Sequence, residues 1–188
     1  GRQSDCAARD KVLEPLLRFP EIRLAINMSP RSIGSPRWME TLKKGLRAGS
    51  MIGERLILEI TEGSAMLVPE LVIAFMENLQ REGISFALDD FGAGFTAFRY
   101  FKDFCFDIVK IDGQFIRNIH KDADNQVLAQ ALITIARHFD MFTVAESVES
   151  IEDAEFLRAL GVDCMQGYLF GAPTVKPGFI TLADRKMG

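Results

Sequence analysis

Short apolar, β-rich runs alternate along the chain with longer stretches in which apolar residues recur at helical spacing. That alternation is the signature of βα units rather than of an antiparallel sandwich. The apolar runs fall at residues 23–26, 56–58, 85–88, 108–109, 142–145 and 164–165. Most are uniformly apolar, which predicts strands buried on both faces and therefore a parallel sheet. Helices are predicted between them at residues 36–47, 69–82, 124–139 and 151–160, each with a charged face opposite its apolar one. Pro36 and Pro69 suit the first helical turn, where a missing N–H leaves nothing unpaired. Gly83 and Gly161 suit left-handed C-terminal caps leading directly into the next strand.

Where each apolar run ends, an ionisable or amide side chain stands: Asn27, Glu59, Asp89 with Asp90, Lys110, Glu146 and Gln166. In a parallel α/β barrel the strand C-termini form one face, so all of these groups would converge on one mouth. In an open doubly wound sheet they would be strung along an edge, and only those near the switch point would meet. The barrel accounts for more of the pattern, so the expected fold class is α/β, a TIM-like (β/α)8 barrel. Such barrels take about 250 residues; with 188 residues and six visible runs, this chain should be short at one end.

The constellation is rich in hard oxygen donors, which suit magnesium, manganese or calcium rather than zinc. The adjacent carboxylates of Asp89 and Asp90 can let one bridge two ions while its neighbour binds only the second, as in a two-metal phosphoryl site. Two adjacent acids at the end of a buried strand also repel each other unless a cation or base is near. Structural readings compete for the other positions. Asn27 precedes Ser29-Pro30 and can serve only as a turn former, and Glu59 or Glu62 can cap the next helix. Lys110 and Asp112 fall on one face of a strand and can form a structural ion pair. Glu146 and Glu149 can belong to a solvated helix start, and Gln166-Gly167 can be ordinary turn chemistry. His120 and His138 have no partner at ligand spacing, and the Phe-rich stretch 91–106 reads as core.

Composition narrows the possibilities further. Hydrophobic residues make up 48% and charged residues 26%, values of an ordinary soluble globular chain. With 22 Lys+Arg against 26 Asp+Glu the net charge is −4, so the basic footprint needed for polymeric nucleic acid is absent. Cys6, Cys105 and Cys164 lack the CxxC spacing of a zinc or redox pair, which suits a reducing compartment. No apolar run reaches the roughly 18 residues of a membrane span, so a cytoplasmic location is expected.

Taken in order, the segments Asn27-Met28-Ser29-Pro30, Leu58-Glu59-Ile60-Thr61-Glu62, Asp89-Asp90-Phe91-Gly92-Ala93-Gly94, Lys110-Ile111-Asp112, Ala145-Glu146-Ser147-Val148-Glu149 and Gln166-Gly167-Tyr168 resemble the motifs of the EAL-domain family of bacterial cyclic di-GMP phosphodiesterases. The resemblance covers roughly residues 20–175. It implies a TIM-like barrel with one antiparallel strand, and hydrolysis of cyclic di-GMP to the linear dinucleotide with magnesium or manganese, two ions in all. It further implies that Asn27, Glu59 and Asp89 bind the first ion, that Asp89, Asp90 and Glu146 surround the second, and that Lys110 orients the attacking water. Asp89, Asp90, Lys110 and Glu146 would then be the catalytic set. Glu62, Asp112 and Glu149 would support the site, and Gln166 would line it. A homodimer and attachment to sensor or regulatory domains in a longer parent are implied as well, with membrane attachment of that parent left open.

Three departures from the family pattern accompany the resemblance. The Glu-Ala-Leu segment of the first strand, which supplies another first-metal carboxylate, has no counterpart upstream of Asn27. Residues 1–188 are therefore expected to be one EAL-type domain incomplete at its N-terminus. Ser147 stands where the family usually has glycine, and Phe95, Thr96 and Ala97 replace a usual tyrosine and two serines. Two functions remain open at this level: a metal-dependent phosphodiesterase, and an inactive receptor that binds cyclic di-GMP or a protein partner.

Overall fold

The computed structural model describes residues 15–47, 49, 51–94 and 98–174. Six strands form one sheet: β1 (Leu24–Asn27), β2 (Leu56–Thr61), β3 (Ser85–Phe91), β4 (Ile108–Ile111), β5 (Phe142–Ala145) and β6 (Cys164–Met165). They lie side by side in chain order and every pairing is parallel. Among the described strands the order never reverses, so they contain no switch point of the doubly wound kind. The sheet is instead a run of consecutive barrel staves, a half-barrel. The antiparallel strand implied by the resemblance is not among the described strands.

The crossovers carry α1 (Pro30–Ile33), α2 (Pro36–Leu46), α3 (Glu62–Leu67), α4 (Pro69–Gln80), α5 (Ala123–His138) and α6 (Ile151–Leu160). The four long helices agree with the sequence pattern to within two residues at each end, while the one-turn α1 and the short α3 escape it because neither offers two turns of periodicity. Pro36 and Pro69 sit in first turns as expected. Hydroxyl or carboxylate caps start every described helix except α4: Ser29 for α1, Ser35 for α2, Thr61 for α3, Asp122 for α5 and Ser150 for α6. Gly161 ends α6 at φ 77°, its N–H returning to the Arg158 and Leu157 carbonyls. Gly83 has a positive φ too, but lies in the turn beyond the end of α4 rather than at its cap.

The two faces of the sheet differ. On the helix-covered face Leu56, Leu58, Ile60, Phe86, Leu88, Val109 and Ile111 are fully buried with Val72, Met76 and Leu79 of α4 and Ala129, Ile133 and Ala136 of α5. Phe91, Phe101, Phe104 and Phe106 join this core, as the Phe-rich composition of the stretch suggested. Burial on both faces holds for the middle of β3 and β4. It fails at the margins, where Ala25, Asn27 and Cys164 are exposed and Phe142 is 48% exposed. The physical reason is geometric: among the described residues, helices cover the outer face of the half-barrel and no opposing staves cover its inner one.

A polar latch ties the crossover after β4 to the start of α6. Asp153, 2% exposed, accepts from the His120 backbone N–H at 3.1 Å, meets His120 Nδ1 at 2.7 Å, and accepts from Ser150 Oγ at 2.7 Å. His120 therefore has a carboxylate partner that its sequence neighbourhood did not reveal. Burial pushes the Asp153 carboxyl upward, but the hydrogen bonds from His120 and Ser150 outweigh it and hold the group below its ordinary value of 3.8. Its contribution to stability is thus complete above that value and is lost as the pH falls through the depressed folded value. Asp153→Ala is expected to cost about 3 kcal/mol in urea unfolding at neutral pH, since buried donors lose a charged acceptor. The variant should also show a shallower loss of stability below pH ~4. Wild-type stability in the variant would contradict the latch.

Candidate active site

Parallel pairing puts Asn27 of β1 beside Glu59 of β2, and Thr61 of β2 beside Asp89 of β3. Residues paired in register share a face, so Asn27, Glu59 and Asp89 all project toward the inner side of the half-barrel near its C-terminal rim. Lys110 of β4 projects the same way, and its ammonium makes the centre of the site. Nζ lies 2.8 Å from Glu146 Oε1, 2.9 Å from Asp89 Oδ1 and 3.4 Å from Glu59 Oε1. Four strand ends thereby deliver one cation and three anions to one place. The ion pair between Lys110 and Asp112 that alternation allows is not formed. β4 ends at Ile111, and the Asp112 carboxylate turns to accept from the Gln114 N–H at 2.7 Å.

Asp90 should, by alternation, point away from Asp89. The register between β3 and β4 shifts between Leu88 and Phe91, and Asp90 takes φ 57°. Such a bulge re-aims a side chain, and aspartate tolerates the left-handed region better than most residues. In consequence Asp89, Asp90 and Glu146 each bring a carboxylate oxygen to within 4.8 Å of the other two. An all-oxygen set of this density suits a hard divalent cation.

The electrostatics of the cluster point the same way. Burial, with Asp89 and then Asp112 nearby, pushes the Asp90 carboxyl above its ordinary value. Burial also pushes Glu146 upward, against the opposing pull of Lys110. Burial alone would lower Lys110, but hydrogen bonds and charges from Glu146 and Asp89 more than compensate and hold the ammonium above the usual lysine range. One ammonium thus faces more carboxylates than it can neutralise. The donor set therefore fits a divalent cation.

Glu62 does not play the capping role. Thr61 caps α3, accepting from the Ser64 N–H, and Glu62 is 1% exposed. Its Oε2 accepts from the Gly92 N–H at 3.1 Å and the Gly94 N–H at 3.3 Å, holding the loop that follows Asp90. The Phe95, Thr96 and Ala97 departure lies outside the described residues. Glu62→Ala should speed amide hydrogen exchange at Gly92 and Gly94 by about tenfold or more, as two charge-assisted bonds disappear. Unchanged protection at both glycines would remove Glu62 from this role.

The remaining polar positions line a second recess beside Glu146. Gln166 is held by its N–H to the Ala145 carbonyl at 2.8 Å, and its own carbonyl accepts from the Val148 N–H at 3.0 Å. Glu149 precedes the α6 cap and lies 3.6 Å from Arg117 Nε. Arg117 was not foreseen: it lies in a short turn after β4 and no local motif marks it.

This geometry has known relatives. The chain matches the EAL domain model over residues 5–173. The chain belongs to the EAL-domain family. Cyclic di-GMP phosphodiesterase PdeF of Escherichia coli is 36% identical over 156 residues, which are 83% of this chain and 21% of PdeF. The chain spans about a fifth of the length of the curated relatives it matches. Among solved EAL structures, the c-di-GMP complex of the PaMucR phosphodiesterase superposes with TM-score 0.79 at 30% identity, over 90% of this chain and 69% of that one. The manganese and cyclic di-GMP complex of Klebsiella pneumoniae BlrP1 superposes with TM-score 0.81 at 25% identity, over 92% of this chain and 44% of that one. Among the described residues of this EAL chain no helix is long and apolar enough to cross a membrane.

Proposed function

We propose that this EAL chain contributes the metal-binding and catalytic groups of a phosphodiesterase that opens cyclic di-GMP to the linear dinucleotide. The supporting observation is the convergence of Glu59, Asp89, Asp90 and Glu146 around Lys110 at the C-terminal rim of the half-barrel. Asn27, Glu59 and Asp89 would hold one magnesium or manganese ion, and Asp89, Asp90 and Glu146 the second. Divalent ions there supply Lewis-acid activation of water and neutralise charge developing on the phosphoryl oxygens. Lys110 orients the water and supplies a fixed positive charge toward the phosphoryl group. Glu62 steadies the Gly92–Gly94 backbone beside Asp90, Asp112 shapes the turn after β4, and Glu149 with Gln166 lines the recess next to Glu146. A homodimer is part of the same proposal, with Val127 and Leu128, 71% and 47% exposed on α5, as apolar surface available to it; sedimentation velocity tests that part. A cytoplasmic location and the attachment to sensor or regulatory domains belong to it too.

A second reading has its own support. Lys110 already bridges three of the carboxylates, so the site can be held together without a metal. A domain that binds cyclic di-GMP as a receptor, without hydrolysis, is consistent with that arrangement. One experiment separates the two. The chain is incubated with cyclic di-GMP and manganese, and both cyclic and linear dinucleotide are quantified over time, with a chelator control. Linear product that vanishes with chelator is the expected result. Binding with no product would favour the receptor, and neither binding nor product would overturn both.

A further inference from the structure

Glu146 is delivered by a tight loop that is fitted against its neighbours on both sides. The Glu146 N–H donates to the Ile111 carbonyl of β4 at 3.2 Å, and the Val148 N–H donates to the Gln166 carbonyl at 3.0 Å. On the β4 side a Cβ on Gly113 would overlap Ser147 Oγ and lie 2.7 Å from Ser147 Cβ. On the β6 side a Cβ on Gly167 would lie 2.8 Å from the Val148 carbonyl carbon. The loop at 146–149 is thus wedged between two glycine backbones. Within it Ser147 takes φ 57°, left-handed backbone that favours glycine. A conformation of that kind persists only where its surroundings over-determine it.

Arg117 supplies part of that hold. Its backbone is fixed in the turn after β4, the Arg117 N–H donating to the Gly113 carbonyl at 3.0 Å. From there the guanidinium reaches two residues of the loop: Nη2 donates to Ser147 Oγ at 3.1 Å, and Nε lies 3.6 Å from Glu149 Oε1. The Glu149 pair is half-exposed and holds its partners weakly in water. The Ser147 bond is the shorter one and falls on the residue next to Glu146, where the family's usual glycine would offer no acceptor. One peptide joins Ser147 to Glu146, so a shift of the first is passed to the second. Glu146 has little room for such a shift: Oε1 lies 2.8 Å from Lys110 Nζ, and one of its carboxylate oxygens lies within 4.8 Å of oxygens of Asp89 and Asp90.

We propose that Arg117 is a positioning residue for the metal site: through Ser147 it holds the loop so that the Glu146 carboxylate meets the ion it would share with Asp89 and Asp90. This inference rests on the metal-site reading given above. It adds a residue outside the donor set, acting through an acceptor that is one of this chain's departures from the family pattern. The sign of the effect separates positioning from plain electrostatics. Removing a guanidinium takes positive charge away from a cation site, and Coulomb's law by itself then tightens a divalent ion. A loss of affinity therefore reports lost positioning.

The test measures manganese affinity of the chain by calorimetry in the absence of nucleotide, with thermal midpoints in chelator alongside. Arg117→Ala should weaken manganese by about fivefold, below the ~10–100-fold typical of groups that orient metal ligands, because its side chain is 55% exposed. Ser147→Ala removes the hydroxyl while leaving charge and Cβ in place, and should weaken manganese by a similar factor. The double variant should be no weaker than the single ones, since groups acting through one contact are not additive. Midpoints in chelator should stay within about 3 °C of wild type, the scale of one exposed hydrogen bond. Unchanged or tighter manganese binding in Arg117→Ala would overturn the inference, as would losses that multiply in the double variant. Where Arg117→Ala lowers the midpoint further, Ser147→Ala decides by itself, and unchanged manganese affinity in it overturns the inference. Wild-type chain that binds no manganese would overturn the underlying metal-site reading instead, and this is seen before any variant is made.

Discussion

Asp89→Asn is expected to abolish turnover of cyclic di-GMP, by about a thousandfold or more, while leaving the fold in place. In the site, Asp89 lies both beside Lys110, at 2.9 Å, and within the carboxylate cluster it forms with Asp90 and Glu146. An amide at that position keeps the shape and loses the charge that would hold both ions, so the effect should be concentrated in chemistry and metal affinity rather than packing. Lys110 keeps Glu146 at 2.8 Å and Glu59 at 3.4 Å as partners, which protects the strand ends from an unpaired ammonium. Glu146→Gln should behave similarly. Product formation by chromatography and manganese affinity by calorimetry check the first part, and the thermal midpoint checks the second. Wild-type turnover in either variant would show the metal assignment to be wrong.

Lys110→Met should lose turnover by about a hundredfold and, in chelator, lower stability by about 2–3 kcal/mol. Removing one partner from a buried ion pair costs several kcal/mol because the other is left uncompensated; this site is slightly open, so the lower part of that range applies. Here the uncompensated groups are Glu59, Asp89 and Glu146 together, with Asp90 beside them. Manganese should restore much of the lost stability, since a ligand that binds only the folded state raises it by mass action. The readouts are thermal midpoints with chelator and with manganese, alongside kcat and cyclic di-GMP affinity. A variant as stable as wild type in chelator would remove the ammonium from its role as internal counter-ion. Equal losses in kcat and in ligand affinity would move it from orienting water to binding.

Both predictions depend on features legible at very different levels. The strand ends were legible: Asn27, Glu59, Asp89, Lys110, Glu146 and Gln166 each follow an apolar run, and parallel topology in chain order then gathers them on one rim. The helices of more than two turns were legible because periodicity accumulates over their length, whereas α1 and α3 were too short to show it. The Phe-rich stretch was legible as core from composition alone.

Partner choice was not legible. Alternation offered Lys110 a local partner in Asp112, but the strand ended one residue too soon and the ammonium took carboxylates from three other strands. Glu62 reads from its neighbours alone as a helix start, and only the family resemblance makes it a support of the site; its bonds run to amides 30 and 32 residues away. His120 meets Asp153 across 33 residues. Asp90 reaches the site only because the β3–β4 register shifts and its backbone turns left-handed. What the chain's sequence determined by itself is therefore the order and direction of the staves and the type of chemistry at their ends, because alternation and helical period are set by near neighbours. Which oxygen meets which nitrogen, and that two consecutive aspartates face one point, was decided only by the tertiary structure, because register, bulge and loop packing depend on residues far apart in the chain.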